Sequence, residues 1–251
     1  MDQSVFETIY RGRQTPLHHM AYMRMSKVLL ALDVLDLAGV DLAGKKIFDY
    51  GFGAGTFFRY CPQNSALSGV EMDGHNVAEV SAMLRKKGFA ELDLQSVDIA
   101  TWEAHPLLSE QFDVIVCSHV LEHLEDPEGF LRVIKRCLAP GGYFLGLVPV
   151  NERADNPHHV QKPDEALVRK WSNEAGLAVS AYVEADEILY PFQPLFAHDA
   201  GWQHKLAQVA SIGLGIPATC AGPKRWWRFS RFLSRVFAWK PCQAAFLLQT
   251  K

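Results

Sequence analysis

From Lys45 onward short apolar runs alternate with helix-length stretches. That alternation restricts the fold most, because strands joined through helices pair in parallel and need helices on both faces of their sheet. The pattern predicts strands over 46–50, 67–71, 92–97, 112–117 and 143–148, with Pro140-Gly141-Gly142 turning the chain into the fifth. A helix opened by Pro163-Asp164-Glu165 and ended by Gly176 leads to a sixth strand over 177–183, and a last strand is expected over 243–249. If these two pair antiparallel, residues 184–241 form an excursion too long for a hairpin loop and too aromatic for an inert linker. Ahead of the sheet, residues 15–38 begin at Thr15-Pro16 and place Leu17, Ala21, Met25, Val28, Leu32 and Leu35 at steps of four and three, an amphipathic helix. Its His18, His19 and methionines suit core packing or the wall of a substrate cavity. The expected architecture is α/β, a doubly wound, mostly parallel seven-stranded sheet. It comprises an N-terminal helical cap (1–44), an α/β core (45–183), a helical insertion or lid (184–241) and a final core strand (242–251).

Composition agrees with such a fold. The chain has 251 residues, 49% hydrophobic and 21% charged, enough to bury a core without metal or cystine support. Its five cysteines (Cys61, Cys117, Cys137, Cys220 and Cys242) include no C-x-x-C pair, which argues against a disulfide framework or zinc knuckle and for a reducing compartment. The acidic start lacks the pattern of a signal peptide, and no long clean apolar run is present, so a cytoplasmic location is expected. Charge is divided unevenly: after Asp199 there are eight bases and no Asp or Glu, and taking those charges from the net of −3 leaves −11 on residues 1–199.

Between the first strand and the following helix lies Asp49-Tyr50-Gly51-Phe52-Gly53-Ala54-Gly55-Thr56. Glycines at alternate positions let the backbone turn tightly and approach a ligand, and the next helix offers free N–H groups. Glu71 ends the second strand, where a carboxylate faces the crevice beyond the sheet edge and can accept both hydroxyls of a ribose. The dinucleotide fingerprint would need Gly or Ala where Thr56 stands, which speaks against NAD. Ile47–Gly55 resembles the first motif of class I S-adenosylmethionine-dependent methyltransferases. The likeness continues through Gly69–Asp73, Ser96–Ile99, Phe112–His123 and Leu138–Gly142, and His158–Leu167 is similar to a segment of quinone-pathway methyltransferases. The resemblance implies a Rossmann-like fold and S-adenosylmethionine as cofactor. It also implies that Asp49 and the loop of Gly51, Phe52, Gly53 and Gly55 hold the methionine moiety. Glu71 would bind the ribose, Met72 would lie against the adenine, Asp98 would accept the adenine amino hydrogens beside the Ile99 amide, and Ser118 with His119 would line the passage to the methyl group.

Methyl transfer from a sulfonium needs alignment and dryness more than covalent machinery, with a base if the acceptor is a hydroxyl. Neutral histidine suits that task, and the candidates are His119 at the fourth strand's end and His158 or His159. His119-x-x-Glu122-His123 also matches the H-x-x-E-H zincin pattern, but it begins at a strand end rather than on a long helix, so no metal ligand is assigned, while the quinone-pathway resemblance leaves metal assistance open. Residues 222–240 interleave Arg228, Arg231 and Arg235 with aromatic residues; we place the bases on one helical face and Phe229, Phe232, Leu233, Val236 and Phe237 largely on the other. That composition fits a lid or a peripheral helix at the inner face of a membrane, and no nucleic-acid partner is expected. The expected function is methylation of a small hydrophobic, lipid-like acceptor at O, N or C. The rivals are RNA or protein methylation and a non-catalytic cofactor-binding scaffold.

Overall fold

The computed structural model describes residues 21–98, 101–153, 156, 158–196 and 201–251. The expected helix start at Thr15-Pro16, with Leu17, His18 and His19, lies outside these residues, as does Ile99. Helix α1 (Tyr22–Leu37) precedes β1 (Lys46–Tyr50), β2 (Ala66–Glu71), α2 (Gly74–Lys86), β3 (Leu92–Ser96), β4 (Phe112–Ser118), α3 (Pro127–Cys137) and β5 (Leu138–Pro149). Then come α4 (Glu165–Glu174), β6 (Leu177–Ala185), α5 (Gly201–Ala221), α6 (Pro223–Phe237) and β7 (Gln243–Thr250).

The seven strands form one sheet in the order β3-β2-β1-β4-β5-β7-β6. β1 pairs in parallel with both β2 and β4, so the winding direction reverses at the β1/β4 boundary, where α/β sheets open a crevice beyond their strand ends. β7 is antiparallel to β6, the pairing considered from the sequence, and also to β5. Local chemistry starts the helices: Asp73, Asp126 and Asp164 are N-caps whose side chains accept from the N–H of His75, Gly129 and Leu167.

Three expectations need correction. Pro140-Gly141-Gly142 belongs to β5 rather than to a turn before it: the pairing slips between Phe112 and Val114, and Gly141 takes φ +74 to absorb the irregularity. α1 is not a one-sided helix, since Tyr22, Met25, Leu29, Leu30, Val34 and Leu35 are all buried between the sheet and the later helix pair. On α6, the buried face is Trp226, Trp227 and Ser230, whereas Phe229, Phe232, Val236 and Phe237 are exposed beside the bases instead of opposite them. One residue, Gly222, joins α5 to α6, and its φ of +76 is available to glycine at little cost.

Apolar layers cover both sheet faces. One gathers Phe58, Leu67, Leu84, Leu145 and Leu247 with α1, and the other gathers Phe48, Phe112, Phe144, Trp171 and Phe246 with α3 and α4. The strand ends are therefore held rigidly, and the loops leaving β1, β2 and β4 meet over the reversal point.

Candidate cofactor and acceptor site

A cavity of about 610 Å³ opens at that point, within the range of small-molecule sites. Asp49, Gly51, Phe52, Gly53, Glu71, Met72, Ser118, His119 and His158 all line it, so most of the residues singled out from sequence meet in one place. Gly55 serves the loop from behind: a Cβ there would lie 2.5 Å from Val80 Cγ1. Asp98 is exposed and outside the lining, which Val97 joins instead.

The glycine loop follows β1 with Gly51, Gly53 and Gly55 at φ +74, +51 and +62. Nothing lies within 4 Å of where a Gly53 Cβ would stand. Glu71 ties the loop to β2: Oε2 accepts from the Gly53 N–H at 2.7 Å, and Oε1 accepts from Met72 N–H at 2.9 Å and Asp73 N–H at 3.2 Å. A carboxylate has about four acceptor sites, so three donors leave limited capacity for ribose hydroxyls. Burial pushes the Glu71 carboxyl up, against the pull of these three N–H bonds. Sequence reasoning missed this clamp because it depends on how the loop folds back over the strand.

Asp49 is 3% exposed and its Oδ1 has no hydrogen-bond partner. Burial, with Glu71 nearby, raises its pKa well above the usual range. An unsatisfied buried carboxylate beside open backbone suits a cationic amine, as the amino acid end of S-adenosylmethionine is. The residues therefore fit that cofactor.

At the other end of the cavity the chain leaves β4 through His119, whose φ of +57 is unusual for a side-chain-bearing residue. Its N–H donates to the Leu147 carbonyl at 2.9 Å, which holds the strained position. His119 Nδ1 lies 3.1 Å from Glu122 Oε1, close but not aligned as a hydrogen bond, and Nε2 has no hydrogen-bond partner. Burial lowers the His119 pKa, and the Lys27 ammonium lowers it further against the opposing pull of Glu122. For Glu122, burial favours the neutral acid, but the rings of His119 and His123 outweigh it and hold the carboxyl below its ordinary range.

Lys27 and Arg24 on α1 also line this end, together with Val28 and Ala31. Burial pushes the Lys27 ammonium down to about 8, with Glu122 retaining part of its charge and Arg24 repelling it. Neither base nor the buried Glu122 was singled out as a functional residue, because nothing in the local spacing reveals that α1 crosses the strand ends. His158 shares the lining, while its carbonyl meets His123 Nδ1 at 2.8 Å. His159 lies against His123, with its Nδ1 2.8 Å from Glu152 and its Nε2 2.9 Å from Asn156 Nδ2. Glu122, His123 and His159 each offer one metal-ligand atom within 4.8 Å of the others. Of the three, His123 bonds across, its contact with the His158 carbonyl holding the segment after β5 to the turn after β4, whereas His159 bonds within its own segment and the buried Glu122 carboxylate oxygens have no hydrogen-bond partner.

The family model described as methyltransferase domain matches residues 19–186. Ubiquinone biosynthesis O-methyltransferase of Pseudomonas fluorescens (strain SBW25) is 30% identical over 198 residues, covering 70% of this chain and 79% of that one. The protein of the same name from Stutzerimonas stutzeri (strain A1501) is 29% identical over 180 residues, covering 63% and 73%. In fold, the chain is similar to a coclaurine N-methyltransferase bound to N-methylheliamine and SAH. Its TM-score is 0.67 at 12% identity, over 99% of this chain and 82% of that one. It is also similar to the [4+2]-cyclase SpnF, with TM-score 0.57 at 17% identity over 89% and 80%. At such identities these structures bear on the fold alone, and the differing names they carry show that the fold does not dictate the chemistry.

Proposed function

The chain belongs to the methyltransferase domain family and is a class I S-adenosylmethionine-dependent methyltransferase, and on that premise we propose that it methylates a hydroxyl oxygen of a small, hydrophobic acceptor. The observation that carries this reading is the continuity of the cavity. Asp49, Glu71 and the glycine loop line the same space as His119, Lys27, Val28 and Ala31. The first group suits the cofactor and the second an acceptor with an apolar body and an ionisable oxygen. The O-methyltransferase name of the relatives supports oxygen as the attacking atom.

When bound, S-adenosylmethionine supplies an activated methyl group on a sulfonium. Asp49 Oδ1 would accept from the cofactor's amino group, Glu71 would serve both the loop and the ribose, and Met72 would lie against the adenine. His119, kept neutral by burial and Lys27, would take the acceptor's hydroxyl proton. Glu122 would orient the ring from the Nδ1 side and stabilise the cation once it forms. Lys27 and Arg24 would draw the developing oxyanion into line with the methyl group, and the apolar side chains of α1 would exclude water. His158 is retained as the second candidate base. A lipid-like acceptor also suits peripheral membrane contact through residues 222–240.

The test is incubation of the protein and labelled cofactor with fractionated cell extract. Label in the organic-solvent fraction, lost in Asp49→Asn, is the expected result. Label in RNA or protein would overturn the small-acceptor reading, and tight cofactor binding with no label in any fraction would favour a non-catalytic scaffold.

A further inference from the structure

Helices α5 and α6 concentrate exposed apolar side chains. Of the large hydrophobic residues exposed among the described residues, Trp202, Leu206, Val209 and Ile216 lie on α5 and Phe229, Phe232, Val236 and Phe237 on α6, against three elsewhere. Trp202, Leu206, Val209 and Ile216 recur at steps of four, three and seven, which is one stripe along a helix. Trp202 and Val209 are 69% and 68% exposed, too open for a stripe packed against its own fold. On α6, Lys224, Arg228, Arg231 and Arg235 recur at steps of four, three and four, and Phe229, Phe232 and Val236 at three and four. At 100° per residue these make two neighbouring stripes, both outward, with the buried Trp226, Trp227 and Ser230 on the remaining side. No Asp or Glu follows Asp199, and acids reach the stripe from α1, where Asp36 pairs with Lys224 and Asp33 interacts with Lys224 and Arg231, so Arg228 and Arg235 carry its outward charge with Arg231.

We propose that the α5–α6 pair is a docking face for an anionic lipid bilayer, with the apolar side chains entering the acyl boundary and the α6 bases meeting the headgroups. Charge complementarity selects this occupant. A second copy of the chain would set like charges together, and a nucleic acid would match the bases but leave the aliphatic stripe of α5 in water. A bilayer surface satisfies both stripes at once. The pair lies on the membrane and does not cross it, since no helix among the described residues is long and apolar enough to span.

The inner side of the pair is fastened to the rest of the molecule. Trp226 Nε1 donates to the Tyr22 hydroxyl at 2.7 Å, Ser230 Oγ donates to Glu187 Oε2 at 2.6 Å, and Met23 N–H donates to Ser211 Oγ at 3.2 Å. Tyr22 and Met23 begin α1, the helix whose Lys27, Val28 and Ala31 line the acceptor end of the cavity. Docking would thus set the acceptor end beside the lipid phase. This last step rests on the acceptor reading, whereas the docking face stands on the exposed residues alone.

The full chain is to be sedimented with phosphatidylcholine vesicles, with and without phosphatidylglycerol, over a range of salt. Retention on the anionic vesicles, weakening as salt rises, is expected. The triple variant Arg228→Gln/Arg231→Gln/Arg235→Gln should lose about 100-fold in partition. Trp202→Ser with Phe232→Ser should also lose retention while leaving the salt dependence in place. Both variants leave the cavity lining untouched, and unchanged S-adenosylmethionine binding by calorimetry certifies their fold. Failure of the wild-type chain to sediment with anionic vesicles, retention of the triple variant equal to wild type, or binding to an RNA oligonucleotide in place of vesicles would overturn the docking face. Vesicle retention without methylation of any solvent-extractable acceptor would overturn the acceptor reading alone.

Discussion

Glu71→Gln separates the cofactor clamp from mere packing. The substitution keeps side-chain size and one carbonyl oxygen but turns the other acceptor into an NH₂ donor. Oε1 receives two N–H groups and Oε2 one, so the favoured orientation leaves the carbonyl on Met72 and Asp73 and points the amide NH₂ at the Gly53 N–H. One buried, charge-assisted bond is replaced by a donor facing a donor, at a cost of about 1.5–3 kcal/mol. Gly53 then loses the anchor that holds its left-handed backbone against β2, and the cradle for the cofactor loosens with it. If that cost falls on binding, the Kd for S-adenosylmethionine rises by about 10–150-fold. Calorimetric titration of S-adenosylmethionine and its demethylated product into wild type, Glu71→Gln and Glu71→Asp, with urea unfolding alongside, measures both parts. An unchanged Kd in the Gln variant would refute the clamp, and a loss of stability alone would confine Glu71 to supporting the fold.

Two glycines of the same loop should respond in opposite ways. Gly55→Ala meets Val80 at 2.5 Å and should lower unfolding free energy by about 2–5 kcal/mol in urea, from overpacking plus the left-handed backbone. Gly53→Ala adds a methyl to open space, so it should cost only about 1–2 kcal/mol of stability while abolishing cofactor binding; equal effects at both sites would contradict the loop geometry. Because burial and Lys27 depress His119, the rate of hydroxyl methylation should fall only below the ordinary histidine range. Lys27→Met should move that acidic limb to higher pH and His119→Ala should remove it, and superimposable profiles for all three proteins would discard His119 as the base. Asp186 accepts from Gln243 Nε2 at 2.6 Å, and its pKa is pushed up to about 6 from 3.8 by burial. A raised acid pKa means that the folded state holds the proton longer, so stability is greatest below about pH 4 and falls as pH rises to about 6, by up to about 3 kcal/mol from this group. Asp186→Asn should flatten that window in urea unfolding, and parallel curves would show that Asp186 is not its source.

The parts of the molecule that repeat a local rule are legible in the order of residues alone. Strand β1 and the glycine loop follow from a short apolar run and alternate glycines, and Pro163-Asp164-Glu165 marks the start of α4. What stays hidden is set by distant packing. α1 reads as one-sided because its second buried face exists only once α5 and α6 cover it. Lys27 looks like any surface lysine until α1 crosses the strand ends. Phe229 and Phe232 pattern as core, and remain exposed because Trp226 and Trp227 occupy the inner side of the helix instead. Glu122 is a helix-type residue in a three-residue turn, buried by the segment that Gln161 pins back with an N–H bond to its carbonyl.

The place of β7 in the sheet bears on how the molecule is made. β7 lies between β5 and β6, although it is the last of the seven strands in chain order. While a ribosome is still threading out residues 201–240, β5 therefore offers a bare edge and β6 has no neighbour with which to bond. Five strands can assemble during synthesis, but the last quarter of the sheet must wait for the 243–250 segment to slot in from behind. During that interval a chaperone has an unpaired, strongly apolar strand edge to shield.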